Sequence, residues 1–184
     1  MRRSAQFLCV TLLALFSLPA LAEPAVPAAD ALSHYVLGPG DEVRVLVFGE
    51  SDLSGDFNIS TNGTVALPLV GAVQAAGNTP AGLASAIAQA LSPDYLRAPR
   101  VSVDVLRYRP FFILGEVKAP GSYPYMAGIN VRSAAALAGG YTYRAKEGYA
   151  YITRKVEGNE SRVKVKPSAR VLPGDIIEVP ERFF

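Results

Sequence analysis

Among 184 residues the sequence has a single cysteine and a single histidine. No apolar run reaches the ~20 residues that a bilayer-crossing helix needs. The longest, Phe7 to Leu18, follows Arg2 and Arg3, is broken by Pro19 and leads into Ala20-Leu21-Ala22. A basic start, a short apolar core and a small-x-small ending predict a cleavable signal peptide over residues 1–22. Cys9 lies within it, preceded by Gln6-Phe7-Leu8, which does not resemble a lipobox. The exported chain is therefore expected to carry no disulfide, no thiol nucleophile and no lipid anchor. Its 162 remaining residues suffice to bury a core without disulfides.

The shortage of histidine and cysteine bears on chemistry. His34 falls in residues 23–34, "EPAVPAADALSH", a Pro- and Ala-rich stretch without apolar periodicity that reads as a flexible lead. That leaves no catalytic triad and no histidine-based metal cluster. Asp52 and Asp56 are close in sequence, but "ESDLSGDFN" is a Gly- and Ser-rich loop in which solvated acids are the ordinary case. The Gly38-Pro39-Gly40 run precedes a strand, whereas a phosphate-cradling loop opens a helix. The expectation is a protein that is not an enzyme, with no cofactor, no metal and no nucleic-acid partner.

Net charge is also scarce. Without residues 1–22, acidic and basic side chains balance at 16 each, but they are unevenly placed. Residues 35–108 hold seven acids and four bases, and residues 109–184 hold seven acids and twelve bases. Two readings are open: two solvated surfaces, or a basic half that faces an acidic polymer or the acidic half of a neighbouring copy.

What is present is turn and strand chemistry, used twice. "VLGPGDEVRVLVFGE" at 36–50 is echoed by "VLPGDIIEVPERFF" at 171–184. Each Pro-Gly-Asp corner (Pro39, Gly40, Asp41; Pro173, Gly174, Asp175) places Pro and Gly as a type II turn demands and launches an alternating or apolar strand. The aspartates are read as turn stabilisers that bond to nearby backbone amides. Between the corners, "FNIS" and "TVALPLVG" flank Thr61-Asn62-Gly63, which predicts a hairpin. Thr79-Pro80 predicts a helix start, and Leu83, Ile87 and Leu91 give it one apolar face. "VSVDVLR" at 101–107 alternates as a strand.

The second half is more compact. "PFFILGEV" reads as a strand, "APGSYPY" as a turn, and "NVRSAAALAGG" as a short helix starting near Asn130 and stopping at Gly139-Gly140. "YAYITR", a turn at Gly158-Asn159, "RVKVK" and "PGDIIEV" follow as strands. A short helix embraced by strands in about 75 residues outlines a β-grasp domain. The expected class is α+β in two small domains, over 35–108 and 109–184.

Seven of nine tyrosines fall between Tyr108 and Tyr151. Tyrosine offers an apolar face to a sugar ring and a hydroxyl to its edge. Tyr141, Tyr143 and Arg144, just beyond the helix stop, are candidates for contact with polymer or with a neighbouring subunit, against the alternative that they are core. Tyr149 and Tyr151 read as strand-pair residues. Arg162, Lys164 and Lys166 form a basic stripe on one strand face, either surface or interface.

"YVLGPGDEVRVLVFGE", "STNGTVALPLVGAV" and "VSVDVLRYRPFFILGEVKAPGSYPY" resemble the outer-membrane polysaccharide export (Wza-type) family. "INVRSAAALAGGYT" through "VLPGDIIEVP" resembles that family's soluble-ligand-binding β-grasp (SLBB) domain. The resemblance implies a polysaccharide export domain over 35–108, an SLBB domain over 109–184, and copies of the chain assembled as a ring around a path for secreted polysaccharide. It places the two corners in different domains rather than in one site. The family's longer members continue into a membrane-crossing helix, for which the sequence after "ERFF" leaves no room. A separate outer-membrane channel, a β-barrel, is therefore expected, with the chain as a periplasmic collar between it and an inner-membrane copolymerase. The alternative reading is a monomeric periplasmic glycan-binding module.

Overall fold

The computed structural model describes residues 35–156 and 159–182. The expected signal peptide over residues 1–22, the expected flexible lead with His34, the Gly158 turn position and the terminal Phe184 lie outside the described residues. The described residues start at Tyr35 and enter β1 (Glu42–Val47), whose Val43, Val45 and Val47 are buried while Arg44 and Leu46 face out. That alternation is the pleat of a strand with one face on the core. β1 is central in an antiparallel three-stranded sheet, between β2 (Gly55–Asn58) and β5 (Val101–Arg107). Val43 sits opposite Val105, and Val45 opposite Val103. A 3-10 turn, Ser51–Leu53, joins β1 to β2 and buries Leu53.

Helix α1 (Pro80–Leu91) lies against this sheet. The Thr79 hydroxyl accepts the Gly82 amide at 3.1 Å, and Pro80 takes the first position, where a missing N–H costs nothing. Its buried residues are Leu83, Ile87 and Leu91, the four-residue spacing of one helical face. They join the β1 valines and Val65 in one core. Each such side chain, fully buried, contributes about 1.5–3 kcal/mol.

The Asn-Gly hairpin expected between residues 57 and 71 does not form as such. Gly63 makes the tight turn with φ +81°, and its amide bonds to Ser60 at 2.9 Å. The flanking segments, however, part company. β2 pairs with β1, while β3 (Thr64–Leu67) pairs with β4 (Gly71–Gln74) in a separate two-stranded sheet. The Arg44–Asp56 pairing, two guanidinium bonds of 2.7 and 2.9 Å, stitches β2 to β1 instead. The hairpin tip that does exist is Pro68-Leu69-Val70, a γ-turn closed by a 2.8 Å bond, with Leu69 at φ +68°.

The second unit is a five-stranded mixed sheet in the order β7-β6-β10-β8-β9. Its strands are β6 (Phe111–Gly115), β7 (Gly121–Tyr123), β8 (Ala150–Val156), β9 (Asn159–Val165) and β10 (Ile176–Val179). β10 runs parallel to β6, and every other neighbouring pair is antiparallel. Helix α2 (Val131–Leu137) is capped by Asn130, whose Oδ1 accepts the Ser133 amide at 2.9 Å. It stops as expected: the Gly139 amide reaches Ala136 and the Gly140 amide reaches Ala135, a Schellman ending that needs left-handed glycine. Val131, Ala134, Ala135 and Ala138 press it onto Phe111, Ile113, Ile152, Ile177 and Val179. This is a β-grasp, and the molecule is α+β in two domains. Among the described residues, no helix is long and apolar enough to cross a membrane.

Candidate functional site

The two Pro-Gly-Asp corners fold identically at the level of bonds. In the first, the Gly38 amide donates to Asp41 Oδ2 at 2.8 Å while the Asp41 amide donates to the Gly38 carbonyl at 3.2 Å. In the second, the Leu172 amide donates to Asp175 Oδ2 at 2.7 Å and the Asp175 amide to the Leu172 carbonyl at 3.1 Å. Gly40 and Gly174 adopt φ +89° and +82°, conformations that only glycine takes without strain. Each carboxylate is buried and each meets an arginine. Arg154 grips Asp175 through Nε and Nη2 at 2.8 and 2.7 Å. The grip holds the Arg154 guanidinium above its ordinary pKa, through the hydrogen bond first.

Asp41 is tied more widely. It accepts the Tyr35 hydroxyl at 2.6 Å, the Arg109 amide at 2.8 Å and Arg109 Nη1 at 3.0 Å, besides Gly38. Burial, and then donation to Asp41, push the Tyr35 phenol well above its ordinary pKa. Arg109 lies in the segment joining the two domains, and it meets both corners. A Cβ at Gly38 would lie 2.4 Å from its Nη1, and one at Gly174 would lie 2.7 Å from its Nε. Edge-on aromatic contacts run alongside, Tyr35 to Tyr108 at 5.0 Å and Tyr108 to Tyr125 at 5.4 Å between centroids. The corners belong to different sheets: Arg109 bonds to the first, its side chain packs against Gly174 of the second, and the Gly174 amide bonds to the neighbouring Pro110 carbonyl. Sequence reasoning missed this because Arg109 and Asp41 are 68 positions apart and neither sits in a local motif with the other.

The three loop candidates have three different environments. Tyr141 bridges to Val117 and is half-buried against the β-grasp core, which raises its phenol pKa. Tyr143 stands 81% exposed. Arg144 is held by Glu181 through Nε at 2.7 Å and a second contact from Nη2. Only Tyr143 is open to a partner over most of its surface.

Tyr149 and Tyr151 do pack together, edge-on at 5.6 Å, yet the basic stripe comes with them. Arg162 lies 3.9 Å over the Tyr151 ring and Lys164 lies 3.8 Å over the Tyr149 ring. Elsewhere, an open groove of about 670 Å³ between α1 and β5 is lined by small residues such as Ala81, Ala84, Ser85 and Ser102. It brings together no ionisable group. Among the described residues, no set of three or more His, Cys, Asp and Glu side chains could hold a metal ion.

A mixed α/β unit followed by a β-grasp, with Arg109 at their junction, defines a two-domain α+β protein. Comparison with known proteins gives the family. Residues 29–106 match the family described as "Polysaccharide biosynthesis/export protein", and residues 110–166 match the SLBB domain. The chain belongs to this polysaccharide export family, which is a family of export proteins and not of enzymes. It is similar to the "Exopolysaccharide production protein ExoF" of Rhizobium meliloti (strain 1021), with 33% identity over 177 residues, 89% of this chain and 41% of that protein. It is also similar to the "Polysialic acid transport protein KpsD" of Escherichia coli, with 29% identity over 91 residues, 48% of this chain and 16% of that one. The chain thus spans less than half the length of these relatives.

Proposed function

We propose that this protein is a non-catalytic, ring-forming component of an exopolysaccharide or capsule export machine. In this reading it lies in the periplasm, peripherally associated with the outer membrane, after export by a cleavable signal peptide. It carries secreted polysaccharide from an inner-membrane copolymerase to a separate outer-membrane β-barrel channel. The observation that carries the reading is the alignment with ExoF across both domains rather than one. The clamp at Arg109 supports it, because a ring needs subunits whose two domains keep a fixed relation. Closed rings need two complementary surfaces per subunit, and the acidic first half and basic second half supply opposite signs. Tyr143, with Tyr141 and Arg144 behind it, is the proposed contact with polymer or with the next subunit.

Deleting the gene and restoring it tests the export role, with secreted polysaccharide as the readout. Light scattering on the purified protein tests the ring, which should appear as a closed multiple of the chain mass and weaken with added salt. A monomer at every concentration, with envelope partners supplied, would discard the ring. Replacing Tyr143 with Ala should lower export without moving the melting temperature.

A further inference from the structure

On the face of the β-grasp sheet opposite α2 the exposed side chains fall into two strips. Phe112 and Leu114 of β6 and Ile176 of β10 form an apolar strip, each exposed. The register then carries the same face through Glu178, Tyr151 and Lys164, three strands side by side. Alternation places Arg162 and Lys166 there too, with Tyr149 beside Tyr151. An open sheet face with ring-bearing and cationic side chains is a platform, not a pocket.

The charges on this face do not cancel. Arg162 is paired with Glu178 at 2.6 Å, and Lys155 stands opposite Glu160 in the β8–β9 register. Among the described residues, Lys164 meets the Tyr149 ring and makes no ion pair, and Lys166 is exposed without an ion pair. Among the described residues two positive charges are left over on a surface that also offers apolar area. The cation–ring stacks hold Lys164 and Arg162 in place, so their outward N–H groups are positioned before any ligand arrives.

We propose that this face is the contact track for an anionic, carboxylate-bearing polysaccharide. The polymer crosses the strands, so that some sugar rings lie on Phe112, Leu114 and Ile176 while the acid groups of sugars further along, roughly 14 Å and three strands away, meet Lys164 and Lys166. The inference rests on the export reading and adds the charge class of the polymer and the surface that touches it. An open track suits a polymer that must slide. Contacts are few per repeat, individually weak and replaceable by those of the next repeat, whereas an enclosed site would hold the chain still.

The test is affinity electrophoresis of the purified full chain in gels containing polygalacturonate or, as the neutral counterpart, dextran. Polygalacturonate should retard the protein and dextran should not, and added salt should abolish the retardation. The double variant Lys164→Gln, Lys166→Gln should bind roughly tenfold more weakly, while Lys164→Arg alone keeps the binding. Both substituted residues are exposed and only the Lys164–Tyr149 stack is lost, so melting should fall by no more than about 4 °C, and Arg162 is left in place to hold Glu178. Equal retardation by dextran overturns the anionic selectivity, and no retardation by polygalacturonate overturns the track. If the double variant loses self-association in light scattering instead of polysaccharide retardation, the occupant is a second copy of the chain and the proposal falls. Secretion from the deletion strain carrying the double variant is read separately. Normal secretion with lost retardation removes the track and leaves the export role standing, while only failure of the unaltered chain to restore secretion sinks that role.

Discussion

Replacing Asp41 with Ala should loosen the joint between the domains, and the structure sets the size of the effect. The carboxylate is fully buried and accepts four hydrogen bonds, from the Gly38 and Arg109 amides, the Tyr35 hydroxyl and Arg109 Nη1. Its loss leaves two amides and a phenol without their acceptor, at about 1–3 kcal/mol for each group that water cannot reach. Removing one member of a buried ion pair costs about 3–5 kcal/mol. The Arg109 side chain is 26% exposed and can turn its guanidinium to water, so the lower end applies, about 3 kcal/mol. Arg109→Ala should cost less, about 1–2 kcal/mol, because Asp41 keeps Tyr35, Gly38 and the Arg109 amide. Urea unfolding followed by tyrosine fluorescence measures both, uncomplicated by tryptophan, of which the chain has none. For a chain of this size, ~3 kcal/mol lowers the melting temperature by roughly 10 °C. A loss below about 1 kcal/mol for Asp41→Ala, or equal losses for the two variants, would refute the view that the buried acceptor holds the joint.

Two further outcomes follow from local geometry. The folded-state pKa of Tyr35 is raised, so the stability gained by keeping the phenol neutral is complete below the unfolded value of ~10 and is lost as pH climbs above it. Ultraviolet titration should show a late-ionising phenolate that appears only with unfolding, and a single transition of all tyrosines near pH ~10 in folded protein would contradict this. Leu69 holds φ +68° while 61% exposed, so Leu69→Gly should be neutral to about 1 kcal/mol stabilising and Leu69→Ala should give no such relief. Thermal melts of the two variants decide it, and equal melting temperatures would show that the turn is not strained.

Much of the fold was legible because the signals were local. Thr79-Pro80, Asn130 and the Gly139-Gly140 pair act within one turn of the helices they bound, and the valine alternation of β1 reports its own burial. The hairpin was misread for a related reason. Asn62-Gly63 does specify a turn, but which strand β2 joins is decided by β1, through Arg44 and Asp56 and the burial of Val43 and Val45. The candidate site was less legible. Tyr143 is open as its loop position suggested, whereas the Glu181 partner of Arg144 lies 37 residues away. The cations over Tyr149 and Tyr151 depend on strand register, which residue types alone do not state.

The parallel pairing of β10 with β6 has a consequence for the order of assembly. β10 occupies the middle of its sheet, yet it follows every other strand of that sheet in the chain. Before it arrives, β6–β7 and β8–β9 can form only as two separate ribbons, each with an unsatisfied edge where β10 will sit. Such open edges invite pairing with other chains. Long-range closure of this kind is slow compared with forming the helices and hairpins around it. The arriving strand also brings the second corner, whose Gly174 amide bonds to the Pro110 carbonyl beside Arg109 at 3.1 Å. One docking event therefore seals the sheet and closes the clamp, so a subunit with a fixed shape exists only once its β-grasp is complete.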